Sequence, residues 1–185
     1  MRPDFSRVTF VLALPRSATF WSTQFVAPGV MASLHDPLGP LAGNVAALRE
    51  QVAVLLESGP GRVYIADTGA PMFYQGLASV FRHARWGAIV RPRLEVEGSL
   101  ARLGMHDVLP HLPAMERCLL RAIDALPHCF RVSYRRPFDE VGADRIYRAA
   151  TGERCDPERV REWCWLHRES PKDEQLARVG PAFGL

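Results

Sequence analysis

Val8 to Ala13 is a near-continuous apolar run that stops abruptly at Leu14-Pro15-Arg16-Ser17. Such a run predicts a strand buried on both faces, and Thr19 to Val26 after it predicts a short helix. Four further strands follow from the same pattern: Gly29 to Leu34, Arg62 to Ala66, Trp86 to Val90 and Phe130 to Tyr134. Between them, helical spacing of apolar residues predicts helices over Asn44 to Leu56, Phe73 to His83, Leu94 to Leu103 and Ala114 to Leu126. Ser58-Gly59-Pro60-Gly61 ends the first of these, and Pro110, Pro113 and Pro127 bracket the last. Two more helices are expected, over Asp139 to Ala150 and over Pro157 to Arg168, the second opened by Asp156 as N-cap with Pro157 at the first helical position. The tail from Ser170 carries no such pattern.

Strands alternating with helices imply an α/β fold, a central parallel sheet flanked by helices on both faces in a three-layer sandwich. At 185 residues, 48% of them hydrophobic, the chain fits a single domain spanning 1–185, without internal repeats or a dividing linker. In such a sheet ligands bind beyond the carboxyl ends of the strands. The polar candidates gather there: Arg16, Ser17 and Thr19 after the first strand, His35 and Asp36 after the second, Asp67 and Thr68 after the third, Arg91 after the fourth.

Charge narrows the chemistry. A net charge of +3 suits a small anionic ligand and gives no case for nucleic acid. The only lysine is Lys172, so no Gly-Lys-Ser/Thr phosphate loop and no Schiff-base lysine can be built in the body of the chain. A nucleotide kinase of that type is thereby disfavoured. Cys118, Cys129, Cys155 and Cys164 are dispersed, the histidines have no ligand spacing, and no apolar run approaches about 18 residues. The expectation is a cytoplasmic protein with reduced thiols, no metal and no membrane segment.

Leu14-Pro15-Arg16-Ser17-Ala18-Thr19-Phe20-Trp21 places Arg, Ser and Thr where a strand turns into a helix, a natural anion cradle. Ala88-Ile89-Val90 leads in the same way into Arg91, with the hydroxyl of Ser99 eight positions on. Two anion sites suggest a ligand with two separated phosphates. The first segment resembles the 5′-phosphosulfate loop of sulfotransferases, usually Pro-Arg/Lys-Ser-Gly-Thr, and Arg91 with Ser99 is similar to their 3′-phosphate motif. Val132-Ser133-Tyr134 followed by Phe138-Asp139-Glu140 resembles, more loosely, the family's late strand and acidic helix.

The resemblance implies a P-loop NTPase-like fold of sulfotransferase type and 3′-phosphoadenosine 5′-phosphosulfate (PAPS) as cosubstrate. It implies that Arg16 stabilises the leaving phosphate, that Ser17, Ala18, Thr19 and Phe20 surround the 5′ end, and that Arg91 and Ser99 hold the 3′-phosphate. Trp21 either stacks on adenine or packs as a core aromatic. Ala18 stands where the family has glycine and Phe20 where a second threonine is frequent. For the general base, Asp36 in His35-Asp36-Pro37-Leu38 is similar to the His-Glu-Pro-Leu-like segment of some bacterial-type sulfotransferases; His35 and Asp67 are the alternatives, each with a plain turn-forming role as rival. The family's late Arg-Lys-Gly loop has no counterpart, which leaves closure by another subunit of a homo-oligomer open. The expected function is sulfuryl transfer to an unidentified acceptor, commonly a hydroxyl. The alternative is a catalytically inactive protein of the same fold that binds a nucleotide or a protein partner.

Overall fold

A computed structural model describes residues 3–134 and 140–169, the last five of them as backbone alone. Among these residues five strands form one all-parallel sheet: β1 (Val8–Ala13), β2 (Ala32–His35), β3 (Val63–Asp67), β4 (Arg85–Val90) and β5 (Phe130–Ser133), in the order β2-β3-β1-β4-β5. The helices are α1 (Thr19–Val26), α2 (Val45–Glu57), α3 (Tyr74–Val80), α4 (Arg93–Arg102), α5 (Leu112–Ala125), α6 (Glu140–Thr151) and α7 (Pro157–Glu169). Phe138 and Asp139 of the expected acidic helix start, and the tail from Ser170, lie outside the described residues.

The period of two along each strand splits the apolar residues between two cores. Phe10, Leu12, Val63, Ile65, Trp86 and Ala88 face one way and pack with residues of α2, α3, α4 and α5. Val11, Ala13, Tyr64, Ala66 and Ile89 face the other way, against α1, α6 and α7. The chain is thus α/β in three layers. Strand β1 sits at the centre with every residue buried, which is why its sequence reads as a run rather than an alternation.

Strand order also fixes where a crevice opens. The connection leaving β1 runs through α1 toward β2 at one edge, whereas the connection leaving β4 runs through α4 and α5 toward β5 at the other. The loops after β1 and β4, neighbouring strands, therefore part in opposite directions, and such a switch point is where open α/β sheets bind ligands.

Several boundaries differ from the sequence expectation. The second strand begins at Ala32, because Ala27–Gly29 closes a 3-10 turn with Pro28 in its first positions. The helix expected from Phe73 is a 3-10 turn, Ala70–Phe73, followed by only Tyr74–Val80. Pro113 lies inside the first turn of α5, where a missing N–H costs nothing, so that helix starts before the proline.

Gly87 in β4 marks a close approach. A Cβ there would lie 2.1 Å from the Phe130 ring of the neighbouring strand. Gly87→Ala is expected to destabilise the fold by about 1–3 kcal/mol through forced repacking. Because the conflict is with one ring, the double variant Gly87→Ala/Phe130→Leu should cost less than the sum of the two single changes, measured by denaturant melts.

Candidate functional site

The loop after β1 is under backbone strain. Arg16 and Ala18 take left-handed conformations, φ 61° and 63°, and Ala18 is the N-cap of α1 without any side-chain cap bond. For an L-residue with a Cβ this costs about 1–2 kcal/mol relative to the right-handed region. Asp36 (φ 47°) and Ala42 (φ 49°), in the loop after β2, are left-handed as well. Four of the five non-glycine residues with positive φ among the described residues thus lie in the loops after β1 and β2. Strain of this kind persists only where the surroundings impose it, and it concentrates at functional sites.

What imposes it on the first loop is the second motif. The Arg91 guanidinium donates through Nη1 to the carbonyl of Arg16, 75 residues away in sequence. Arg91 is only 7% exposed; it lies over the Tyr134 ring at 4.6 Å and 3.4 Å from the Glu95 carboxylate. Arg16 in turn reaches α4, its Nε 3.5 Å from the Oγ of buried Ser99. The two segments singled out from sequence are therefore in direct contact at the switch point. Arg93 is spent on Glu97 and Glu116, which fits a structural charge rather than a ligand contact.

Ser17 is fully buried, and its hydroxyl has no hydrogen-bond partner. A buried hydroxyl left unpaired costs about 1–3 kcal/mol. It sits one residue before the left-handed cap of an uncapped helix, whose first N–H groups have no partner within the helix. Donors at a positive dipole end, an orphaned hydroxyl and two arginines thus meet at this corner, the chemistry that an anion would need.

Helix α1 is short but held along its length. Ser22 Oγ donates to the Thr19 carbonyl and accepts from the buried Tyr64 hydroxyl at 3.0 Å. Ser33 from β2 donates to the Thr23 carbonyl, and Arg159 from α7 donates to the Phe25 carbonyl at the other end. Trp21 stacks on Phe25, ring centroids 5.5 Å apart, and meets Trp163 at 5.7 Å, so it contributes to the packing of α1 against α7. Phe20, 37% exposed, meets the His35 ring edge-on.

The acidic candidates occupy the ends of β2 and β3. His35 Nε2 lies 3.0 Å from Thr19 Oγ1 and 3.3 Å from Asp36 Oδ2, which links the start of α1 to the Asp36 carboxylate. Asp36 accepts the Thr68 N–H through its other oxygen, at 2.6 Å, and remains about one-third exposed. Asp67 is placed differently. It is 1% exposed and accepts three backbone N–H bonds, from Leu38, Gly69 and Ala70. Burial pushes its pKa up and the neighbouring Asp36 charge adds to this, while the three N–H donors pull it down. With both oxygens committed, Asp67 ties the loop after β2 to the loop after β3.

Between those loops opens a cavity of about 480 Å³ lined by Asp36, Asp67 and Thr68 and by apolar side chains including Leu38, Met72, Phe73 and Met115. The sequence places pocket walls in the loops around Pro37 to Gly43, Gly69 to Tyr74 and Gly104 to Pro113; the first two line this cavity, the third does not, and Met115 comes instead from α5. Gly43 (φ +74°) lies under the Phe73 ring. Among the described residues there is no group of three or more His, Cys, Asp or Glu able to hold a metal, and no helix long and apolar enough to cross a membrane. Comparison with family models, curated proteins and solved structures yields no match.

Two outcomes are expected from these contacts. Asp67→Asn replaces one acceptor oxygen with an amide that faces an N–H, leaving a buried donor unpaired; it should lower stability by about 1–3 kcal/mol in denaturant melts. Ala18→Gly relieves the left-handed strain but adds unfolded-state freedom, so its melting temperature should equal or exceed that of the parent, whereas Ala18→Val should melt several degrees lower.

Proposed function

We propose that the protein binds an adenosine nucleotide phosphorylated at its 3′ and 5′ positions and transfers a sulfuryl group from PAPS to a hydroxyl in the cavity beside Asp36. The observation that carries this reading is the joint of Arg16 with Arg91 and Ser99 at the switch point, alongside the unpaired Ser17 hydroxyl. One phosphate-type anion fits the start of α1, and the second fits the start of α4. The strand order and the resemblance of the two loops also support a P-loop-like fold of sulfotransferase type.

In this reading Arg16 and the N–H groups of Ser17, Ala18 and Thr19 bind the phosphosulfate. They stabilise the charge that builds on the bridging oxygen as the S–O bond lengthens. Asp36 accepts the acceptor's hydroxyl proton, and the freed oxygen forms the new bond to sulfur. The S–O bond to phosphate breaks, and adenosine 3′,5′-bisphosphate leaves with that electron pair. His35, between Thr19 and Asp36, orients the carboxylate relative to the donor loop. Asp67 keeps the loop that carries Asp36 in place.

One observation favours a second reading, nucleotide binding without transfer. Arg91 already serves the Arg16 carbonyl, the Tyr134 ring and Glu95, so a 3′-phosphate must compete with the Glu95 carboxylate.

Calorimetric titration with adenosine 3′,5′-bisphosphate, with adenosine 5′-monophosphate as control, tests the site. The bisphosphate is expected to bind with a Kd in the micromolar range and the monophosphate at least about tenfold more weakly. Arg16→Ala should abolish detectable binding. Glu95→Gln, by removing the competing carboxylate, should tighten the bisphosphate by about threefold and leave the monophosphate unchanged. Equal binding of the two nucleotides, or none by a folded protein, overturns the assignment. Asp36→Asn keeps its bond from the Thr68 N–H and should retain nucleotide binding; sulfuryl transfer by the parent that this variant lacks separates the enzyme from the inactive binder.

A further inference from the structure

We propose that the cavity at the carboxyl ends of β2 and β3 selects its occupant by charge, taking an apolar, ring-bearing hydroxyl compound that is uncharged or cationic and rejecting carboxylates and phosphates. The inference rests on the reading of this cavity as the acceptor site. It adds the chemical class of the acceptor.

The cavity walls carry two carboxylates, Asp36 and Asp67, and among the described residues no arginine, lysine or histidine lines it. That is unusual in a chain with 23 basic residues and a net charge of +3. The arginines of the corner after β1 and β4 hold an anion there, while the cavity wall presents the partly exposed Asp36 carboxylate and Asp67, whose oxygens are taken by backbone N–H groups; His35, 3.3 Å from Asp36, lies outside the lining. In a half-enclosed, largely apolar cleft that field is poorly screened. A second anion entering beside Asp36 would be repelled by the carboxylate meant to take its proton, whereas an ammonium at the mouth is attracted and a neutral hydroxyl is simply accepted as a donor.

The apolar walls define the rest. Phe73 lies against Gly43, where a Cβ would come within 2.4 Å of the ring, so the glycine is what lets the ring close that wall. Met115 from α5 and the half-exposed Met72 add two thioethers beside it. An aromatic face flanked by flexible, polarizable sulfur suits a planar apolar ring and adapts to its outline. Neighbouring strands are about 4.8 Å apart, so the middle of the β2/β3 end lies two spacings, about 10 Å, from that of β1/β4. A donor group at the end of β1, next to β3, and an acceptor in this cavity can then meet.

Three probes that share one ring and one hydroxyl isolate the charge: tyramine, 4-ethylphenol and 4-hydroxyphenylacetate. Each is titrated calorimetrically into the full chain saturated with adenosine 3′,5′-bisphosphate, and into the chain alone. Tyramine and 4-ethylphenol are expected to bind, with 4-hydroxyphenylacetate at least about tenfold weaker than tyramine. Asp36→Asn should narrow that gap to about threefold or less, and Phe73→Ala should weaken tyramine and 4-ethylphenol alike while leaving bisphosphate binding unchanged. Binding of the carboxylate as tight as that of tyramine overturns the inference. So does the absence of binding by all three probes, with the protein shown to be folded by circular dichroism. Failure of the bisphosphate to bind, with the charge ranking of the probes intact, overturns the nucleotide reading and leaves the cavity's selectivity standing.

Discussion

The hydrogen bond from the Arg91 guanidinium to the Arg16 carbonyl joins the loops that leave β1 and β4, and the rest of the corner depends on it. Left to itself, Leu14-Pro15-Arg16-Ser17-Ala18 would avoid left-handed conformations at Arg16 and Ala18. A buried cation with Nη1 aimed at that carbonyl and Nε at Glu95 offsets that preference, because leaving the guanidinium unpaired in the same place would cost more. Tyr134, beneath the guanidinium, and Glu95, beside it, hold Arg91 in this orientation. The strained loop then presents the start of α1, and α1 is itself pinned by Tyr64, Ser33 and Arg159 from three other elements.

The same division of labour shapes the other half of the carboxyl edge. Asp67 spends both oxygens on backbone N–H groups and so acts as a brace between the loops after β2 and β3. Asp36 keeps one oxygen toward His35 and solvent, and through His35 it touches Thr19 at the start of α1. Two carboxylates separated by a few residues of space thus differ in availability, one locked and one open, by virtue of burial and bonding alone. The arginines of one corner and the carboxylates of the other leave the edge polarised from β4 to β2. In the proposed function, transfer from an anionic donor to a proton-bearing acceptor would use such a field in both directions.

Particular elements show what could be read in advance. β1, α2 and α5 were legible because their apolar spacing is strong and their ends carry turn residues or prolines. The Arg16 loop and Arg91-Ser99 stood out because residue types that bind anions follow directly on buried strands. Ranges such as Gly29 to Leu34 and Phe73 to His83 were less legible: 3-10 turns at Ala27–Gly29 and Ala70–Phe73 take up residues whose apolar character fits strand, turn and helix equally. The difference between Asp36 and Asp67 had no local signal, since both stand at a strand end and precede turn residues. Which one spends its oxygens is decided by the N–H of Leu38 arriving from another loop.

By itself the sequence determined the alternation of strand and helix, the burial of β1 on both faces, the edge at which polar residues collect and the near absence of lysine. All of these follow from local periodicity and composition, which each segment carries wherever it lies. The tertiary structure alone decided the strand order, and with it the switch point that sets Arg91 and Ser99 against Arg16. It also decided that Ala18 turns left-handed, that Trp21 packs on Phe25, and that Asp36 opens on a cavity walled by Phe73 and Met115. The physical reason is common to these cases: each is set by contacts between segments tens of residues apart, whose energies no short window of sequence contains.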